Sequence, residues 1–181
     1  MRVRTSIKIN IARLLVCGTN FRYAFLRAES IHYFDETFRP IPLTVHSIAY
    51  GSIRNMFLFE RSLDNKVEDI IKRFSDGKQS LIFCASKSGC ERLSQLLSQR
   101  FTSCANPGAY SSSSAVSQLQ NTKLRDLVRR GHGFHHAGIP ADDRVLVEQL
   151  FTEGKIHVLC ATSTLAHGVN LPAHLVVIKV L

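Results

Sequence analysis

Ser80-Leu81-Ile82-Phe83-Cys84-Ala85-Ser86-Lys87 is the stretch on which the fold turns. Its core is a continuous apolar run with no polar alternation. A strand of that texture is covered on both faces, as in a parallel sheet. Ser86 then offers an N-cap, and Leu93, Leu96 and Leu97 repeat at helical spacing behind it. The segment therefore reads as a buried strand feeding a helix.

Working outward, the same grammar recurs. Phe59–Phe74 carries Leu63, Val67, Ile70, Ile71 and Phe74 on one helical face, and Asp76-Gly77 ends it. Thr44–Tyr50 alternates as a strand. Residues 102–115, with the serine run Ser111–Ser114, read as a loop. A helix is predicted through Leu119–Arg129, stopped by Gly131, and Gly133–His136 is a brief strand. Pro140 and Asp142 open another helix that runs through Phe151 and closes at Gly154. Ile156–Ala161 and Leu175–Val180 are further buried strands. Strand–helix–strand–helix–strand implies an α/β fold, a parallel sheet with helices on both faces. Ligands of such sheets bind at the C-terminal strand ends. Here those ends carry Ala85-Ser86-Lys87, His135-His136-Ala137-Gly138 and Thr162-Ser163-Thr164.

Composition narrows the class. The 181 residues include 23 Lys and Arg and 14 Asp and Glu, a net charge of +9, and 45% are hydrophobic. Disorder does not fit that balance. No apolar run reaches the ~18 residues of a membrane span. The five cysteines form no CxxC pair, which fits a reducing compartment better than a disulfide framework or zinc site. Residues 1–28 hold Arg2, Arg4, Lys8, Arg13, Arg22 and Arg27 with no acid, and residues 1–24 show no sustained period. They read as a basic leader, with a mitochondrial presequence as a minor alternative. A basic excess favours polyanions without selecting among them.

The motifs set further bounds. There is no GxxxxGK[ST], since Gly77-Lys78 and Gly154-Lys155 run on into Gln79 and Ile156. Nor does an acidic pair follow a strand to hold Mg²⁺, so this segment alone should not hydrolyse a nucleotide. Ser86 and Lys87 at a helix start can hold an anion, or can be an ordinary cap and a surface lysine. His132, His135 and His136 invite a metal reading, but neighbours on a strand face opposite ways. Three hydroxyls follow a buried strand at Thr162-Ser163-Thr164, either as phosphate-backbone ligands or as a helix-capping turn.

In order, the blocks 81–87, 134–138 (Phe-His-His-Ala-Gly) and 160–173 (Cys-Ala-Thr-Ser-Thr-Leu-Ala-His-Gly-Val-Asn-Leu-Pro-Ala) resemble motifs four, four-a and five of the Ski-like superfamily-two helicases. Phe34–Pro40, Thr122–Asp126 and Leu171–Lys179 resemble the meiotic crossover DNA helicases of the Mer/HFM type most. The resemblance spans about residues 25–181. It implies a RecA-like domain of the P-loop NTPase fold, the second of two in an ATP-dependent motor that moves 3′ to 5′ in the nucleus. ATP and Mg²⁺ would be bound mainly by a first RecA-like domain in cis.

The resemblance also assigns roles. Ser86, Lys87, Thr162 and Thr164 would hold the nucleic-acid backbone, and His135, His136 and Gly138 would shape the strand channel. Gly168, Val169 and Asn170 would line the ATP cleft and couple it to grip. Residues 1–28 would be a divergent basic segment, 29–58 an interdomain lead-in with the first strand, and 59–181 the helicase C-terminal domain, truncated before its sixth motif. No catalytic residue or metal ligand is assigned, and no membrane partner. Single-stranded or branched DNA is the expected partner, with an RNA helicase of the same clade or a stand-alone, non-catalytic nucleic-acid-binding module as alternatives.

Overall fold

A computed structural model describes residues 6–11, 43–51, 55–100, 114–166 and 171–179. One six-stranded sheet runs through it in the order β2-β1-β6-β3-β5-β4. The four strands β3 (Ser80–Phe83), β4 (His132–His135), β5 (Val158–Ala161) and β6 (Leu175–Lys179) are parallel. This is the parallel α/β arrangement that the buried runs imply, and the one that the helicase resemblance implies for a RecA-like domain. At one edge, β1 (Ser6–Ile11) pairs antiparallel with both β6 and β2 (Thr44–Ala49).

β1 corrects the view that residues 1–24 lack a pattern. Ser6-Ile7-Lys8-Ile9-Asn10-Ile11 alternates β-branched and polar residues over six positions, the period of a strand. The run is short and was hidden among unpatterned basic residues.

Helices cover both faces of the parallel strands. α1 (Met56–Phe74) and α2 (Lys87–Arg100) lie on one side, joined by Arg92 of α2, which donates to Asp64 of α1. α5 (Ala141–Thr152) lies on the other. The adjacent histidines of β4 show this directly. His135 bonds to Glu148 of α5, whereas His136, one residue on, bonds to Glu91 of α2. Right-handed crossovers require the same, because β3→β4 and β4→β5 advance across the sheet in opposite directions. The predicted apolar faces form the core. Leu63, Val67, Ile70 and Ile71 of α1 and Leu93 and Leu97 of α2 are buried in one core with Ile82 and Phe134 of the sheet.

The helix predicted through Leu119–Arg129 starts only at Thr122, as α4 (Thr122–Val128), and a separate short helix, α3 (Ser114–Gln118), precedes it and begins inside the stretch read as a loop. The cause of the break lies on α5. The fully buried carboxylate of Asp143 accepts the backbone N–H of Gln120 at 2.8 Å and of Asn121 at 2.9 Å. Asn121 then caps α4 by accepting from the N–H of Leu124. The guanidinium of Arg125 takes the Leu119 carbonyl. Side chains thus satisfy backbone groups that a continuous helix would have paired internally. α4 and α5 stop where predicted, with Gly131 and Gly154 both at positive φ.

Asp143→Ala should therefore cost about 1–3 kcal/mol, because it takes the shared acceptor from two backbone N–H groups at a part-buried site. Urea unfolding measures this, and a loss below about 0.5 kcal/mol would show that the break does not depend on Asp143.

Candidate nucleic-acid interface

The parallel register aligns the C-terminal ends of the strands. Phe83 pairs with Ile178 on one side and Ala161 on the other, and Ala161 pairs with His135. β6 ends one residue later, at Lys179, while the other three strands run into Cys84, Thr162 and His136. The ladder continues across this point, because the Cys84 N–H donates to the Ala161 carbonyl and the Thr162 N–H to that of His135. The candidate residues leave the sheet along this one edge.

Ser86 is the cap of α2: its Oγ accepts the Gly89 N–H at 3.0 Å. Both readings of this serine describe one geometry, since a capped helix start still presents Lys87 at its mouth. Lys87 leans toward the turn after β4. A Cβ placed on Gly138 would stand 3.4 Å from the Lys87 Cδ, so the lysine stem passes close by. The Gly138 N–H donates to His136 Nδ1, which leaves Nε2 as the protonated nitrogen of the neutral ring. That Nε2–H donates to Glu91 Oε1 at 3.2 Å. Lys123 reaches the other oxygen of Glu91 at 4.0 Å. Lys87, His136, Gly138 and Glu91 thus form one cluster.

Thr162 and Thr164 form a second group. Their hydroxyls are 2.8 Å apart, Thr162 buried and Thr164 exposed on the 3₁₀ turn Ser163–Ala166. One hydroxyl proton is used between them, and the other remains as a donor for an outside acceptor. His135 is apart from both groups. Its ring is buried on the α5 face, and its main-chain carbonyl is what meets Thr162. Gly168, Val169 and Asn170 lie outside the described residues, as does Phe34–Pro40.

Sequence reading missed Glu91 and Glu148, the acids that seat the two histidines. They come from helices 45 and 13 residues away, beyond the reach of a local pattern. It also missed a buried ion network beneath the edge. Asp64 of α1 accepts from Arg92 at 2.9 Å and from the Lys179 ammonium of β6. Glu60 stands 4.0 Å from the same ammonium, over Gly89, where a side chain would collide with it. A lysine closing an apolar strand was the one available signal. Among the described residues, no group of three or more His, Cys, Asp or Glu side chains could hold a metal ion, and no helix is long and apolar enough to cross a membrane.

Burial holds His132, His135 and His157 below the usual imidazole range; for His135 it outweighs the opposing pull of the Glu148 carboxylate. These rings are neutral in the fold, while the unfolded chain takes up protons below about pH 6.5. Stability should therefore fall as pH drops from about 6.5 toward 5 and be flat with respect to these groups above it. Urea midpoints across that range test this. His132→Gln combined with His157→Gln should flatten the slope, and an unchanged slope would contradict it.

Residues 109–180 match the family model for the helicase conserved C-terminal domain. The chain is 39% identical over 160 residues to the ATP-dependent DNA helicase MER3 homolog of Oryza sativa subsp. japonica, covering 84% of this chain and 13% of that protein. With the probable ATP-dependent DNA helicase HFM1 of Homo sapiens it shares 40% over 149 residues, covering 80% of this chain and 10% of that protein. With the activating signal cointegrator 1 complex subunit 3-like protein of Dictyostelium discoideum it shares 39% over 166 residues, 86% of this chain and 7% of that protein. The chain thus spans a small part of the length of each of these relatives.

Proposed function

The chain belongs to the helicase family of its MER3 and HFM1 relatives, and we propose that it serves as the second RecA-like domain of an ATP-dependent DNA helicase that moves 3′ to 5′ in meiotic recombination. The observation that carries this reading is the convergence of Lys87, Ser86, Thr162 and Thr164 on one edge of the parallel sheet. In this reading Lys87 offers an ammonium to one backbone phosphate. The free hydroxyl proton of the Thr162–Thr164 pair offers a hydrogen bond to another. Such contacts hold a strand without reading its bases. His136 and Gly138 form the wall beside Lys87. His135 acts from behind it, fixing Thr162 through the main chain.

ATP and Mg²⁺ fit this chain only as a second wall. The sequence has no phosphate loop and no acidic pair after a strand. These residues supply no step of hydrolysis in this reading, and a first RecA-like domain in cis is proposed to supply that chemistry. Gly168, Val169 and Asn170 are proposed to face it and to relay nucleotide state to the grip. DNA, and with it a nuclear location, is favoured over RNA by the names of the MER3 and HFM1 relatives.

A second reading, a stand-alone nucleic-acid-binding module, draws on the six basic and no acidic residues of 1–28. Single-stranded DNA binding measured against salt separates the two. The edge reading expects Lys87→Ala to weaken binding and to reduce the log–log salt slope by about 0.7. If that variant binds as wild type while replacing Arg2, Arg4, Arg13, Arg22 and Arg27 by Gln, which leaves the β1 residues Ser6–Ile11 unchanged, abolishes binding, the module reading replaces it. In the full-length protein, Thr164→Ala should leave ATP turnover while reducing unwinding, and wild-type unwinding would refute the role of the threonine pair.

A further inference from the structure

The run Thr122–Asp126 carries part of the meiotic resemblance, yet the grip of Lys87 and the threonine pair does not involve it. Most of the run serves the fold. Leu124 is buried in the core, Arg125 holds the Leu119 carbonyl, and Asp126 pairs with Arg129 at 3.2 Å. Thr122 and Lys123 are exposed. The Lys123 side chain keeps 77% of its surface in water, and its ammonium lies 4.0 Å from Glu91 Oε2.

That acid ties Lys123 to the candidate interface. Glu91 stands one helical turn past Lys87 on α2, so the two side chains share a face. Its other oxygen accepts the Nε2–H of His136 at 3.2 Å. At the far end of the same ring, Nδ1 accepts the Gly138 N–H, beside which the Lys87 stem passes. Lys87 and Lys123 thus flank the Glu91–His136 pair, one from α2 and one from α4.

We propose that Lys123 is a further phosphate-holding residue of the strand grip, and that Glu91 positions it when no strand is bound. The proposal rests on the reading of this edge as the strand-binding face. At 4.0 Å the ammonium makes no hydrogen bond to Glu91, and exposed ion pairs of this kind contribute little to stability. A phosphate oxygen can therefore take the ammonium over at small cost. Glu91 keeps its bond to His136 through the exchange, because that bond uses the other oxygen. Lys87 then holds one phosphate and Lys123 a second, and neither contact reads a base.

The experiment titrates a fluorescein-labelled oligothymidylate with the purified chain over a range of salt. Lys123→Ala should weaken binding several-fold at low salt and lower the log–log salt slope by about 0.7, the value for one phosphate of a single strand. Together with Lys87→Ala the slope should fall by about 1.4. Lys123→Arg keeps the charge and should keep the slope. Urea midpoints should match wild type, since the side chain is exposed; if alanine shifts the midpoint, Lys123→Gln repeats the titration. Glu91→Gln leaves an oxygen for His136 and removes the charge. It should tighten binding, and by less when Lys123 is already alanine. An equal gain in both backgrounds overturns the positioning by Glu91. A slope unchanged by Lys123→Ala but lowered by Lys87→Ala makes the Lys123–Glu91 pair a surface contact only, and overturns the proposal while the edge reading stands. A slope lowered by Lys123→Ala but not by Lys87→Ala overturns the assigned role of Lys87 and leaves Lys123 standing. No binding by the wild-type chain overturns both.

Discussion

Everything at the candidate interface depends on the register of four parallel strands. Because Phe83 is in step with Ile178 and Ala161, and Ala161 with His135, the next residues are Lys179, Cys84, Thr162 and His136. A single-residue slip of any strand would turn its exit residue to the other face. The register is held at both ends. At the N-terminal edge, the Gln79 side-chain amide donates to the Phe151 and Ile156 carbonyls, while the Gln79 main-chain carbonyl accepts from the backbone N–H groups of His174 and Leu175. At the C-terminal edge, Asp64 draws Lys179 and Arg92 together from β6 and α2. Buried ion networks of this kind are weak sources of net stability, but breaking one leaves an uncompensated charge. They thus penalise alternative registers more than they stabilise this one.

The candidate interface is built in two layers. Groups that can meet a strand lie outermost: Lys87 at the mouth of α2 and the exposed hydroxyl of Thr164. Behind them stand groups that fix their position. Glu91 seats His136, the Gly138 N–H sets its tautomer, and the His135 carbonyl anchors Thr162. The division explains why neighbouring histidines differ in role. Strand alternation sends one to α2 and one to α5, so only His136 shares the face of Lys87.

Local patterns made much of this legible. The apolar faces of Leu63–Phe74 and Leu93–Leu97, the buried runs of β3, β5 and β6, and the stops at Gly131 and Gly154 were readable because each depends on residues within one element. Ser86, Lys87, Thr162 and Thr164 were locatable because strand ends in a parallel sheet converge. What escaped depends on distant partners. Nothing near Leu119–Asn121 announces that Asp143 will break the helix there. Nothing near His135 and His136 announces Glu148 and Glu91. β1 escaped for a different reason: its six alternating residues lie within a basic segment whose charge dominated the reading.

The central claim is that the C-terminal edge of the parallel sheet, and not the basic N-terminal segment, holds the nucleic-acid strand. Hydrogen exchange of the chain with and without single-stranded DNA tests it most directly. The account predicts slower exchange confined to the backbone around residues 84–90, 136–138 and 162–166. Protection confined to residues 1–28, with that edge unchanged, would contradict it.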